Sequence, residues 1–339
     1  MVLEIESIMK IKEENGVLTV EPSGVKITDL IEKLLNGDSI ELIKLSLSIK
    51  DNRDWNKVAK AIFNHWKSHA NHPDGSDVLV TKINEDLSKY ALVFPVYGTT
   101  EEAENIQKLL KDNPPNIRAA ENIIFATIMQ PRIRALQLVG RFMKIDLFSE
   151  FAYFIDSATI AYYRGNVTAA FLTIVPVIEG IILRWLGYPE TVDKKPDFEK
   201  IKKFIGRSIY RQPVPHLANF VESYILAAND ILVNHLYKCT SDGAAHGNFN
   251  RHLALHMLDN KHFYSHDNVM RAFLLLDLLS EIYICEKRIT DPRFNTLPEE
   301  EAPHEKAYIL AIHQQQNCES PERILFKHTQ HLAAEFIGI

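Results

Sequence analysis

The chain has 339 residues, 46% of them apolar and 24% charged, a balance that excludes a disordered or fibrous protein. Its 38 Lys and Arg against 44 Asp and Glu leave a formal charge of −6, which argues against broad, sequence-independent duplex binding. Two domains are expected at this length, or one domain with a substantial extension.

From the N-terminus, the runs Ile8 to Ile11 and Val17 to Val20 are joined through Glu14-Asn15-Gly16. Asn-Gly supplies the positive φ angles of a tight turn, so a β-hairpin is expected. Helical spacing follows at Thr28 to Leu35, stops at Asn36-Gly37, resumes after the capping pair Asp38-Ser39, and returns through Val58, Ile62 and Trp66 in Trp55 to His69. Asn71 to Asp77 is a polar loop. Leu79 to Val96 fits a helix or a strand equally, and Glu101 to Leu110 is helical. Asn113-Pro114-Pro115-Asn116 marks the clearest break of the first half.

Beyond Ile117 the pattern is helical throughout. Amphipathic segments are expected at Arg118 to Met129, Ile133 to Phe142, Leu147 to Tyr163 and Val167 to Leu186, with Gly165-Asn166 as a turn and Gly187-Tyr188-Pro189 as a stop. Asp197 to Phe204 reads as a short helix, His216 to Leu236 as a long one, and Asn268 to Lys287 as a strongly apolar one that Asp267 can cap. Pro292, Pro298 and Pro303 around Glu299-Glu300-Glu301 read as a linker before a tail from Glu305 to Ile339. The expected division is an α+β module over 1–116, a helical domain over 117–291, and a linker with a helical extension over 292–339.

Three cysteines, Cys239, Cys285 and Cys318, stand far apart without a CxxC pair and fit a reducing compartment. Met1 to Lys10 lacks a basic start followed by an apolar run, so no secretory signal is expected. The most apolar stretch, Val167 to Leu186, carries Glu179 and Arg184, which a lipid-exposed span tolerates poorly. The expected setting is cytoplasmic, without membrane contact.

One short polar stretch between apolar helices needs a reason: Asn248-Phe249-Asn250-Arg251-His252-Leu253-Ala254-Leu255-His256. An arginine is a permanent cation whose flat fork matches phosphate oxygens, and a histidine both takes and gives a proton near neutral pH. Together they suffice for metal-free phosphodiester cleavage. Five positions on an ideal helix set Arg251 and His256 about 140° apart, so a helix end or kink has to bring them together. His252 and His256, four apart, share a face.

This segment resembles the R-x4-6-H signature of the HEPN superfamily, four-helix bundle domains found in many RNases of toxin, abortive-infection and antiphage systems. Arg251 matches the arginine, His252 the polar residue that often follows it, and His256 the histidine. Met257 stands where many members have glycine. Tyr162-Tyr163-Arg164-Gly165-Asn166 with Ala169 to Arg184 is similar to the family's helical hairpin bearing a glutamate, here Glu179, and Asn268 to Lys287 is similar to its closing helix. The resemblance covers roughly Leu147 to Lys287. It implies a mainly α fold, a HEPN-like four-helix bundle beside a small α+β N-terminal module. It also implies cleavage of RNA by attack of a ribose 2′-hydroxyl on the adjacent phosphorus, with no metal and no cofactor. His256 would then be the general acid or base and Arg251 the stabiliser of charge on phosphoryl oxygens. Asn250 and His252 would support them, and Glu179 would orient Arg251 or His256. A symmetric homodimer is implied, with RNA as partner and an activating signal or regulatory partner beside it.

The Lys194 to Arg211 stretch offers Lys202, Lys203, Arg207 and Arg211 as RNA-binding candidates, against the plainer reading of a solvated helix face. Plainer readings also exist for the motif: Arg251 caps a helix or pairs with Asp277, His256 is a hydrogen-bonded core residue, Glu179 neutralises an internal cation, and Asn248 and Asn250 cap helices. Six histidines between His235 and His266, with Cys239 among them, raise a metal site as a minor alternative, because His252-x3-His256 is only part of a tetrahedral zinc set. The other alternative is a catalytically silent HEPN-like module that binds RNA, nucleotide or protein as sensor or scaffold. No glycine-rich phosphate loop and no G-x-S-x-G elbow occur, which argues against a nucleotide-hydrolysing or serine-hydrolase enzyme.

Overall fold

The computed structural model describes residues 10–15, 17–35, 40–49, 52–69, 76–197, 199–201, 218–239, 244–256, 265–287 and 289–317. The protein is mainly helical, with one small antiparallel sheet near the N-terminus in the order β1-β2-β3. β1 (Lys10–Glu14) and β2 (Val17–Glu21) pair with Glu14 opposite Val17, a register that leaves two residues for the turn, and Asn15 takes φ +52° there. This is the expected hairpin; Ile8 and Met9 of its first run lie outside the described residues. β3 (Val25–Lys26) adds a third strand that was not expected.

Val20 joins Ile27, Leu30, Ile43, Leu47, Trp55, Val58 and Ile62 in a compact apolar cluster built by the sheet and helices α1 (Ile27–Leu35), α2 (Ile40–Ser46) and α3 (Asn52–His69). A second and larger core begins at Val80 and ends at Ala311, so it takes in residues on both sides of the breaks expected at 116/117 and 291/292. The ambiguous Leu79 to Val96 stretch is helical at its start, in α4 (Ser76–Leu87) and a 3-10 turn over Ser88–Tyr90. α5 (Thr100–Lys111) opens on a capping box, Thr99 with Glu102, and α6 (Ile117–Ile128) opens on Asn116, whose Oδ1 accepts from Ala119 N at 3.2 Å.

α7 (Pro131–Gln137) starts on proline, whose fixed φ suits that position, and continues as a π-helical turn over Leu138–Phe142. The Leu147 to Tyr163 segment divides into α8 (Asp146–Ser149) and α9 (Ala152–Tyr163). Gly165, at φ +82°, reverses the chain as only glycine does without strain, and Asn166 caps α10 (Val167–Trp185) by accepting from Ala169 N at 3.1 Å. By length and composition α10 is apolar enough to cross a membrane; half of that window is buried in the protein, against α9 and α13.

α11 (Ala218–Ile231) runs into a second π-helical turn, Leu232–Leu236, and packs on α4 and α13. α12 (Arg251–His256) is short. α13 (His266–Lys287) is buried along nearly its whole length, which accounts for its apolar character on every side. Its cap is Ser265, whose Oγ accepts from Asn268 N at 3.1 Å; the expected cap, Asp267, instead accepts from Arg118 Nη1 at 2.8 Å. The proposed linker is also a helix, α14 (Pro298–Gln316): Pro298 is its first residue, Glu299, Glu300 and Glu301 complement the positive end of its dipole, and Pro303 is accommodated inside it. Buried Tyr308 docks this helix by donating to Asp156 Oδ1 at 2.7 Å. Cys239 is exposed, Cys285 is a half-buried thiol, and Cys318 lies outside the described residues.

Candidate functional site

The polar motif is held from beneath by a hairpin of glycine and aromatic residues. His246–Asn248 make a 3-10 turn in which Gly247 (φ +57°) and Asn248 (φ +56°) are both left-handed. A side chain on Gly247 would bring its Cβ within 3.1 Å of Arg271 Nη1, so both backbone conformation and space favour glycine. Phe249 is wholly buried against Phe171 of α10, ring centres 6.2 Å apart, and anchors the turn to the core.

Asn250 is 2% exposed and makes four bonds. Its Oδ1 accepts from His252 N at 2.8 Å and Leu253 N at 3.3 Å, capping α12, while its Nδ2 donates to the carbonyls of Lys238 at 2.8 Å and His235 at 3.3 Å. The helix start is thereby tied to the end of the π-helical turn in α11. His235 completes the clamp: its Nδ1 accepts from His246 N at 3.3 Å, which leaves the proton on Nε2 to donate to Ser88 O at 3.0 Å. Burial lowers the pKa of His235 and the Ser88 carbonyl works the other way, so the neutral form prevails.

Arg251 turns inward. Its Nε donates to Glu179 Oε2 at 2.5 Å, its guanidinium lies 5.4 Å from the centre of the Tyr237 ring, and the other carboxylate oxygen of Glu179 accepts from Lys195 Nζ at 3.0 Å. Glu179 therefore orients Arg251, one of its two expected targets, and Asp277, the alternative partner of Arg251, binds Arg134 instead. His252 and His256 turn outward: both are exposed, with ring centres 4.5 Å apart. His256 is thus not the core residue of the plainer reading. α12 stays helical through His256, and no bend within it swings the histidine round to the arginine. The basic candidates Lys202, Lys203, Arg207 and Arg211 lie outside the described residues, as does Met257.

Two ion-pair networks flank this site, and the sequence does not show which residues pair in either. In the nearer one, Glu121 of α6 is paired with buried Arg271 of α13, accepts from Arg118 Nη1 at 3.3 Å, and stands 3.7 Å from His246 Nε2. Burial works against the Glu121 carboxylate, but His246, Arg271 and Arg118 together hold its pKa below the usual range. Arg271 Nη1 donates to Asn268 Oδ1 at 3.0 Å, and Asn268 Nδ2 donates to Gly247 O at 2.8 Å, so the network reaches the motif's own turn. In the farther one, Asp277 holds Arg134 and accepts from Tyr97 OH at 2.7 Å, while Arg141 binds Ser280 at 3.0 Å, Glu281 at 2.5 Å and Asp291 at 2.6 Å. Tyr97, Asp277, Arg141 and Glu281 of this farther network line a cavity of about 10 Å³, room for one water.

The visible signal for both networks was a charge inside an apolar helical run, at Arg271, Asp277, Glu121 and Arg134; the pairing itself was not visible. Among the described residues no group of three or more His, Cys, Asp or Glu is placed to hold a metal ion. The chain matches no protein-family model, no curated protein and no solved structure.

Proposed function

We propose that this protein is a metal-independent endoribonuclease of the HEPN type, serving a defence or toxin system, with its site on α12. The observation that carries the reading is the pairing of opposites on one short helix: a cation fixed by Glu179, and two imidazoles exposed to solvent. RNA cleavage without a metal needs a proton acceptor for the 2′-hydroxyl, a proton donor for the leaving 5′-oxygen, and positive charge where the phosphoryl oxygens become more negative. His256 fills the first or second role and Arg251 the third. His252 stands beside His256, and Asn250 holds the helix start in place.

Within one copy Arg251 faces in and His256 faces out, which favours an arrangement where two copies meet about a twofold axis through this face. Two exposed histidines, one from each copy, then divide the acid and base roles over a single phosphate. The bundle in this reading is α9, α10, α11 and α13, where α10 packs on α9 and α13, and α11 packs on α13.

A second reading, an RNA- or protein-binding module without catalysis, is favoured by one observation: the charge of Arg251 is already matched by Glu179 and covered by Tyr237. Cleavage assays on wild type, Arg251→Ala and His256→Ala, each checked for an unchanged fold, separate the two. Under the nuclease reading both variants lose roughly 100-fold or more in rate. Intact RNA with all three proteins, together with RNA binding that weakens in Arg251→Ala, selects the binding module. Undiminished cutting by His256→Ala rejects the assigned roles.

A further inference from the structure

We propose that His252 and His256 form a two-point clip for a first-row divalent cation of the zinc and copper class, and that this cation acts as a reversible inhibitor. The clip is a matter of geometry. The two residues are one helical turn apart on α12, both are exposed, and their ring centres lie 4.5 Å apart with the planes inclined at 59°. Two imidazole nitrogens, each about 2.0 Å from a tetrahedral ion, lie about 3.3 Å apart, which sets the ring centres about 5 Å apart. The observed ring-centre spacing of 4.5 Å is close to that value.

The surroundings decide what kind of site it is. Glu179 is the carboxylate bound to the neighbouring Arg251, and it is engaged by Arg251 and Lys195. Arg251 is turned inward onto Glu179, so its guanidinium lies on the side of the helix away from the two exposed imidazoles. Among the described residues no larger ligand group surrounds the pair, so the described part of the site is two imidazoles. Such a site is open, exchanges its ion freely, and contributes nothing to folding, unlike a closed four-ligand zinc centre. Imidazole favours zinc, copper and nickel over magnesium and calcium, which prefer oxygen ligands, so abundant magnesium does not occupy it.

The inhibitory consequence rests on the nuclease reading. A metal bound at the His256 ring occupies the nitrogen that would take or give the proton in cleavage, so an enzyme that needs no metal is switched off by one.

The test reads binding first, without RNA. Chelator-stripped full-length protein is titrated with zinc by calorimetry, wild type beside His252→Gln and His256→Gln, with circular dichroism confirming that each exposed substitution leaves the fold intact. The expected result is one equivalent of zinc in wild type that disappears in both variants, with nickel behaving alike and magnesium giving no heat at that equivalent. Equal stoichiometry and affinity in all three proteins overturns the clip. RNA cleavage is then measured on the same samples. Zinc binding without any cleavage in chelator leaves the clip standing and removes the nuclease reading; cleavage in chelator without zinc binding does the reverse.

Discussion

Asn250 concentrates the logic of the site in one side chain. Its carbonyl oxygen starts α12 and its amide holds two backbone carbonyls twelve and fifteen residues earlier, all at 2% exposure. Loss of an N-cap costs about 1 kcal/mol, and the Lys238 carbonyl left without this donor adds about 1 kcal/mol or more, whereas the His235 carbonyl keeps the Lys238 N–H at 3.2 Å. Asn250→Ala is therefore expected to lower stability by roughly 2 kcal/mol in urea unfolding. Asn250→Asp keeps the cap and should lose less. A loss under about 0.5 kcal/mol for the alanine variant, the range of ordinary surface substitutions, would contradict the clamp. The capping half of this role was legible, because asparagine before a short apolar run is a helix-start signal. The other half was not: a bond from Nδ2 to a distant carbonyl leaves no periodic trace in the sequence. The same holds for His235, an unremarkable histidine in a helical pattern until Ser88 and the motif's turn are placed on either side of it.

At the scale of elements, α13 carries the structure. Its burial on all sides was legible from its composition, and so was its helical type. Arg271 and Asp277 interrupt that apolar run, and which charges they meet depends on α6 and α7 being folded against it. A buried pair that loses one member leaves an uncompensated charge, which costs about 3–5 kcal/mol. Asp277→Ala strands Arg134, a 2% exposed side chain, and is expected to lower the unfolding free energy by that amount, read from denaturant midpoints at neutral pH. A change below about 1 kcal/mol would mean that Arg134 finds another partner or water. Proline was the misleading signal. Pro298 and Pro303 read as breakers beside three glutamates, whereas proline at a helix start is favourable and acidic residues there stabilise the dipole, so the stretch is α14. The Asp267 cap failed for a related reason: Ser265 lies two residues earlier and Arg118 claims the carboxylate.

For the whole molecule, the buried apolar residues form two clusters, one from Val20 to Ile62 and one from Val80 to Ala311. Burial of titratable groups sets how stability follows pH. His235 has its pKa lowered, and burial lowers that of His266 to about 4. An unfolded histidine binds its proton near pH 6.5, so below that pH the unfolded chain holds protons that the folded chain refuses. Stability is then full above about pH 6.5 and falls toward pH 4, by about 1.4 kcal/mol per pH unit for His266, with His235 acting in the same direction. Asp267, its carboxyl pushed up by burial, offsets part of this loss, since a raised folded pKa favours the folded state as pH drops. Urea midpoints from pH 7.5 to 5 should decline, and a flat profile would contradict the neutral, buried assignment of these histidines.

RNA cleavage by attack of a 2′-hydroxyl is the central claim, and one substrate pair tests it most directly. Purified protein in excess chelator is given an RNA oligonucleotide and the same oligonucleotide with the ribose before the cleaved bond replaced by 2′-deoxyribose. We predict a cut in the first that leaves a cyclic phosphate and a 5′-hydroxyl, and no cut at that position in the second. Cleavage of both, or cleavage that appears only when a divalent metal is restored, would contradict the assignment of Arg251 and His256 as its machinery.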